Sequence, residues 1–131
     1  MLSLTTLVAK TPKAVVKRVP GCKRKLLGTY DVKGYPVFVF ATGCSKGVLS
    51  YITQIGTVKP KRGFGSPCIV HCTCPFFTYT LEYACAKQGS SYFYNALRRY
   101  PKIRNPRAMP YLCKHLITVL QTVRQKLNRY S

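Results

Sequence analysis

The sequence predicts an α+β fold, a small antiparallel sheet with a C-terminal helix, preceded by a basic N-terminal arm. Two observations carry this. Residues 37–41 (Val-Phe-Val-Phe-Ala) and 48–55 are runs rich in β-branched and aromatic residues, separated by the turn residues Thr42 and Gly43. Leu112, Leu116, Val119, Leu120, Val123 and Leu127 recur at close to helical spacing after Pro110, which predicts a helix over about residues 112–128.

Taken in order, residues 1–9 form a modest apolar patch. It is Thr-rich, short and not preceded by a basic residue, so no export signal is expected there. Residues 10–25 are basic and punctuated by Pro12, Pro20 and Gly21, and with the first nine they form the arm, residues 1–27. Residues 28–131 form a single domain, in which the runs at 37–41 and 48–55 make a hairpin or meander. Residues 59–67 are a loop and residues 68–74 a third strand. Residues 76–88 suit a helix with Phe77, Leu81 and Ala84 on one face and Gly89 as its stop. Residues 90–110 hold few periodic cues and are expected to be irregular. No run approaches the ~18 apolar residues of a membrane-spanning helix.

The third strand and the last helix each carry a pair of soft ligands. Cys72 and Cys74 alternate with His71 and Thr73, so in an extended strand both thiols share one face while His71 points away. Pro75 then bars further ladder pairing, so the strand should end beside this pair. Cys113 and His115 fall in the first turn of the predicted helix, where the macrodipole favours a thiolate; Arg124, Lys126 and Arg129 lie towards the opposite, negative end. A lone cysteine reads as an ordinary core residue. Two such pairs with matching parity instead describe one closed tetrahedral site for a single structural Zn²⁺, with bonds of about 2.3 Å to sulfur and 2.0–2.1 Å to nitrogen. Cys68 shares the parity of Cys72, but four extended residues place it about 13 Å away.

Seven cysteines is an odd number, and Cys22, Cys44, Cys68 and Cys85 are left over. A secreted disulfide scaffold is not normally built this way, so folding in a reducing cytoplasm fits better. Cys44 with Cys68 is the first pair to check for a disulfide.

Charge narrows the partners. Lys and Arg number 22 against 2 acids, a formal charge of +20, and a compact body this unbalanced repels itself unless something anionic is near. Hydrophobic residues nevertheless make up 47% of the chain, which argues against wholesale disorder. The cations cluster: Lys10, Lys13, Lys17, Arg18, Lys23, Arg24 and Lys25; then Lys59, Lys61 and Arg62; then Arg98, Arg99, Lys102, Arg104 and Arg107. Such segments can follow a phosphate backbone without reading bases. Tyr92, Phe93, Tyr94 and Tyr100 beside the third cluster either stack on unpaired bases or cover the core. The expected partners are nucleic acid, DNA favoured over RNA, or other subunits of a large assembly, with no membrane and no small-molecule substrate.

Enzymatic readings lack parts. Asp31 and Glu82 are the only carboxylates and lie in unrelated segments, which excludes paired-acid hydrolysis and a carboxylate-held Mg²⁺ site. No Gly-rich phosphate loop is present.

Cys-x-Cys followed at a distance by Cys-x-His resembles the SWIM zinc finger of nucleic-acid-associated proteins. The run Val70-His71-Cys72-Thr73-Cys74-Pro75-Phe76-Phe77, the aromatic segment 79–83, Asn105-Pro106 and Leu112-Cys113-Lys114-His115-Leu116 are similar to a SWIM-like group encoded by tailed bacteriophages. The resemblance covers about residues 68–125, with a longer insertion between the ligand pairs than in compact SWIM fingers. It implies a non-enzymatic structural protein of a virion, assembled in the host cytoplasm. A ribosomal or other ribonucleoprotein subunit and a free DNA-binding regulator are the alternatives that basicity leaves open.

Overall fold

The computed structural model describes residues 1–45, 48–90, 105 and 107–130. Four strands form one antiparallel sheet in the order β1-β2-β3-β4, with β1 Lys23–Val32, β2 Tyr35–Gly43, β3 Tyr51–Thr57 and β4 Cys68–Cys72. Helix α1 (Leu4–Lys10) and the short α2 (Lys13–Val16) precede it, α3 (Glu82–Lys87) follows β4, and α4 (Lys114–Leu127) comes last. The expected α+β architecture of a small antiparallel sheet with a C-terminal helix is present.

The core lies between the sheet and α4. Phe38, Phe40, Ile55, Val70 and Cys72 are buried on the strands, and Leu116, Val119, Val123 and Leu127 are buried on α4. The latter spacing of three and four residues puts one apolar stripe on the sheet while Gln121, Arg124 and Gln125 remain exposed. Among the described residues no helix is long and apolar enough to cross a membrane.

β1 was not foreseen. Its basic start, Lys23 to Lys25, is exposed and reads as arm, and the strand is broken by a bulge between Leu26 and Gly28. The ring of Tyr30 covers Gly28, where a β-carbon would meet its hydroxyl at 3.1 Å. β1 turns into β2 through Lys33 and Gly34, with φ of 51° and 88°, the left-handed pair that suits the twist of a two-residue hairpin.

Residues 1–27 are therefore not a separate arm. Ser3 caps α1 by accepting a hydrogen bond from the Thr6 amide (3.1 Å), and Leu4 and Leu7 are fully buried in the common core. The open edge of β4 is covered as well: the Cys68 amide donates to Leu2 O (2.8 Å) and the Val70 amide to Ser90 O (2.9 Å). A sheet edge left bare would invite pairing with other chains.

Boundaries moved elsewhere. The second run pairs over 51–57 rather than 48–55, a 3₁₀ turn (Pro60–Gly65) occupies the expected loop, and β4 ends at Cys72 rather than Cys74. The helix expected over 76–88 begins as a π turn, Phe77–Leu81, and continues as α3; Phe77, Leu81 and Ala84 are buried, and Gly89 takes φ 74° beyond its end. Cys22 and Cys44 form a disulfide. They face each other one step beyond the Lys23–Gly43 pair, at the end of the β1–β2 ladder. The pairing of Cys44 with Cys68 is thereby corrected, because Cys68 lies opposite Thr57, at the other end of the sheet.

Candidate metal centre

β4 presents Cys68, Val70 and Cys72 to the core in strict alternation. The chain then leaves the ladder. Thr73 still clasps Ile52, donating its amide to Ile52 O and accepting the Ile52 amide on Oγ1, both at 3.0 Å. Cys74 follows in the bend before Pro75, and the Phe77 amide donates to its sulfur over 3.3 Å. The two thiols thus converge through a turn and not by sharing one strand face.

The second pair sits on the start of α4. Cys113 is the N-cap residue, in extended backbone (φ −78°, ψ 167°), and its carbonyl accepts from the Ile117 amide at 3.1 Å. His115 lies in the first turn. Two ties fix the approach of this segment. The Leu112 amide donates to Thr11 Oγ1 at the end of α1 (3.1 Å), and the Asn105 side-chain amide donates to Thr80 O in the π turn and to Met109 O, both at 3.0 Å.

Cys72, Cys74, Cys113 and His115 come together with their ligand atoms all within 4.8 Å of one another, and all four are buried. Nδ1 of His115 is buried without a hydrogen-bond partner, a state that costs about 1–3 kcal/mol unless another bond replaces the lost water. Contacts from Cys113 and then Cys72 hold the Cys74 thiol far below its ordinary range, while burial pushes Cys113 well above it. At Cys72 the contact with Cys113 acts downward, but Cys74 and burial outweigh it and the thiol stands at about 12. The three sulfurs thus lie close enough to share protons with one another. Three sulfurs and an imidazole nitrogen in that arrangement suit a thiophilic divalent cation, which replaces the shared protons.

A supporting shell surrounds the cluster. Thr53 donates to Cys72 Sγ at 3.6 Å, and its oxygen lies 2.8 Å from that of Thr42. The Tyr51 ring tilts against His115, with centroids 4.9 Å apart and planes at 58°. None of these supports was singled out in the sequence. Thr53 had a signal: it alternates with Ile55 on the core side of β3, an odd place for a hydroxyl without a task.

His71 turns away, as its parity predicts. Its Nδ1 lies 3.2 Å from Glu82 Oε1, and its ring meets Phe77 edge-on at 5.7 Å. Cys68 and Cys85 are buried free thiols outside the cluster, each pushed up to about 12 chiefly by burial.

Of the basic residues, Lys10, Lys13, Lys17, Arg18, Lys23, Arg24, Lys25, Lys59, Lys61, Arg62 and Arg107 are all exposed. Arg98, Arg99, Lys102 and Arg104, like Tyr92, Phe93, Tyr94 and Tyr100, lie outside the described residues. Arg24 Nε donates to Thr122 Oγ1 (2.8 Å), tying β1 to α4, and the Arg124 guanidinium lies over the Phe64 ring at 4.5 Å.

No family model, curated protein or solved structure matches the chain.

Proposed function

We propose that the four-residue cluster holds one structural zinc ion in a SWIM-like, non-catalytic module, and that the basic surface around it contacts nucleic acid within a larger assembly. The observation that carries the reading is the convergence of three buried sulfurs and one buried imidazole from two distant segments. Zinc is the ion that most often takes such a set, and four protein donors leave no position for a substrate or a reactive water. The ion supplies a cross-link between β4 and α4. The chain's own residues supply the rest: Thr53, the Phe77 amide and Tyr51 orient the donors.

The charge supports the partner. A formal +20, with Glu82 already beside His71, leaves Asp31 as the one other carboxylate to balance the exposed lysines and arginines. Phosphate chains suit such a surface through counterion release. The resemblance to SWIM-like phage proteins makes a virion the assembly in question, with the chain lying against packaged DNA or neighbouring subunits. Mass spectrometry of purified particles tests this: a fixed copy number is expected, and absence from the particle would discard the virion role. Co-sedimentation with ribosomes that ribonuclease abolishes would assign the chain to a ribonucleoprotein.

A further inference from the structure

A cleft of about 190 Å³ opens beside the metal cluster, lined by three of its four residues, Cys74, Cys113 and His115. Tyr51 and Phe76 bring half-buried aromatic rings to its walls, and Arg18 and Lys114 bring cations. Arg18 is exposed and comes from the segment after α2, in which no side chain is fully buried. Pockets for drug-sized ligands start at ~300 Å³, so this one suits a single flat group rather than a whole small molecule.

We propose that the cleft takes one unpaired base of a single-stranded nucleic acid, held against Tyr51 and Phe76, with the flanking phosphates on Arg18 and Lys114. The inference rests on the nucleic-acid reading above and sharpens it from phosphate contact to base capture. The orientation follows from chemistry: the inner end is sulfur and imidazole and offers a phosphate nothing, so the uncharged ring enters and the charged backbone stays at the cationic mouth. Every base has a π face, so the site is tolerant of sequence. A paired base inside a duplex cannot reach it.

The test compares three probes on the metal-loaded full chain at ~150 mM salt: a single-stranded oligodeoxynucleotide, an abasic oligomer with the same number of phosphates, and a duplex. Stacking on one aromatic is commonly worth on the order of tenfold in affinity. The base-bearing strand is therefore expected to bind about tenfold tighter than the abasic one. F76L should remove that margin while leaving metal content and binding of the abasic oligomer unchanged, whereas R18A should weaken both strands alike and leave the margin in place. Equal binding of the base-bearing and abasic strands would overturn the inference while leaving the phosphate reading standing. So would a margin that survives F76L, since the base would then be captured elsewhere. Binding of none of the three probes would overturn both readings.

Discussion

Thr53 and Cys72 face each other across the β3–β4 ladder, and the Thr53 hydroxyl donates to the Cys72 sulfur over 3.6 Å. Behind it, the Thr42 hydroxyl sits 2.8 Å from the same oxygen, so the Thr53 hydroxyl lies between a hydroxyl of the neighbouring strand and the sulfur of a candidate ligand. Groups of this kind typically change metal affinity by 10–100-fold when removed. T53V, nearly isosteric, should therefore release zinc to a competing chelator at about tenfold lower chelator activity while keeping the fold. Unchanged competition would show that the hydroxyl is packing rather than tuning the sulfur.

Metal uptake should release protons. Contacts with Cys113 and Cys72 hold Cys74 low, while Cys74 and burial push Cys72 up and burial pushes Cys113 up, so the cluster keeps protons that an ion would displace. Binding one zinc at pH 7 is expected to displace about two protons, measurable by titration in buffers of different ionisation enthalpy. Release of three would mean that Cys74 is protonated in the free protein.

Stability should also fall in alkali. Cys68 and Cys85 each stand at about 12 in the folded chain against an ordinary 9.0, so the unfolded state loses these protons first. With raised folded values, their contribution is complete below about pH 9 and is lost as pH climbs towards 12, at up to about 1.4 kcal/mol per pH unit for each thiol. Denaturant melts of the wild type and of C85A across pH 8–11 check this; the variant should show the shallower slope.

The fold was legible where local pattern and packing agreed. Leu116, Val119, Val123 and Leu127 announce the stripe that α4 buries, and Val37 to Ala41 read as strand because β2 is flanked by strands on both sides. β1 was hidden because its register is held by β2 and not by its own exposed residues. Lys23, Arg24 and Lys25 look like solvated arm until Gly43, Thr42 and Ala41 pair with them. Leu4 and Leu7 were likewise unremarkable in a Thr-rich stretch, and only the core gives them meaning. In the cluster, residue types and pairing were legible, but the route was not: the bend at Cys74 and the capping position of Cys113 depend on Thr73, Thr11 and Asn105 reaching Ile52, Leu112 and Thr80 across the chain. The Cys22–Cys44 bridge depends on strand register, which cysteine spacing does not encode.

That bridge joins residues 22 apart in sequence, so opening it should cost roughly 3 kcal/mol by the chain-entropy account. C22S is expected to melt several degrees lower than the wild type, and a reductant should lower the wild type to the same point while leaving the variant where it is. A reductant effect of equal size on C22S would trace the loss to other thiols.

The exposed lysines Lys17, Lys23 and Lys25 should act on nucleic acid through charge alone. Replacing all three by Ala is expected to weaken binding to every sequence alike and to flatten the salt dependence by roughly one unit per lost phosphate contact. A loss confined to one sequence would point to base readout from this surface.

The most direct test of the central claim is elemental analysis of natively prepared protein, paired with its thermal melt before and after chelation. One zinc per chain is expected, with its removal, or C72S or C113S, abolishing the cooperative melt because β4 and α4 lose their cross-link. Protein that carries no metal, or that melts identically with and without chelator, would contradict the account.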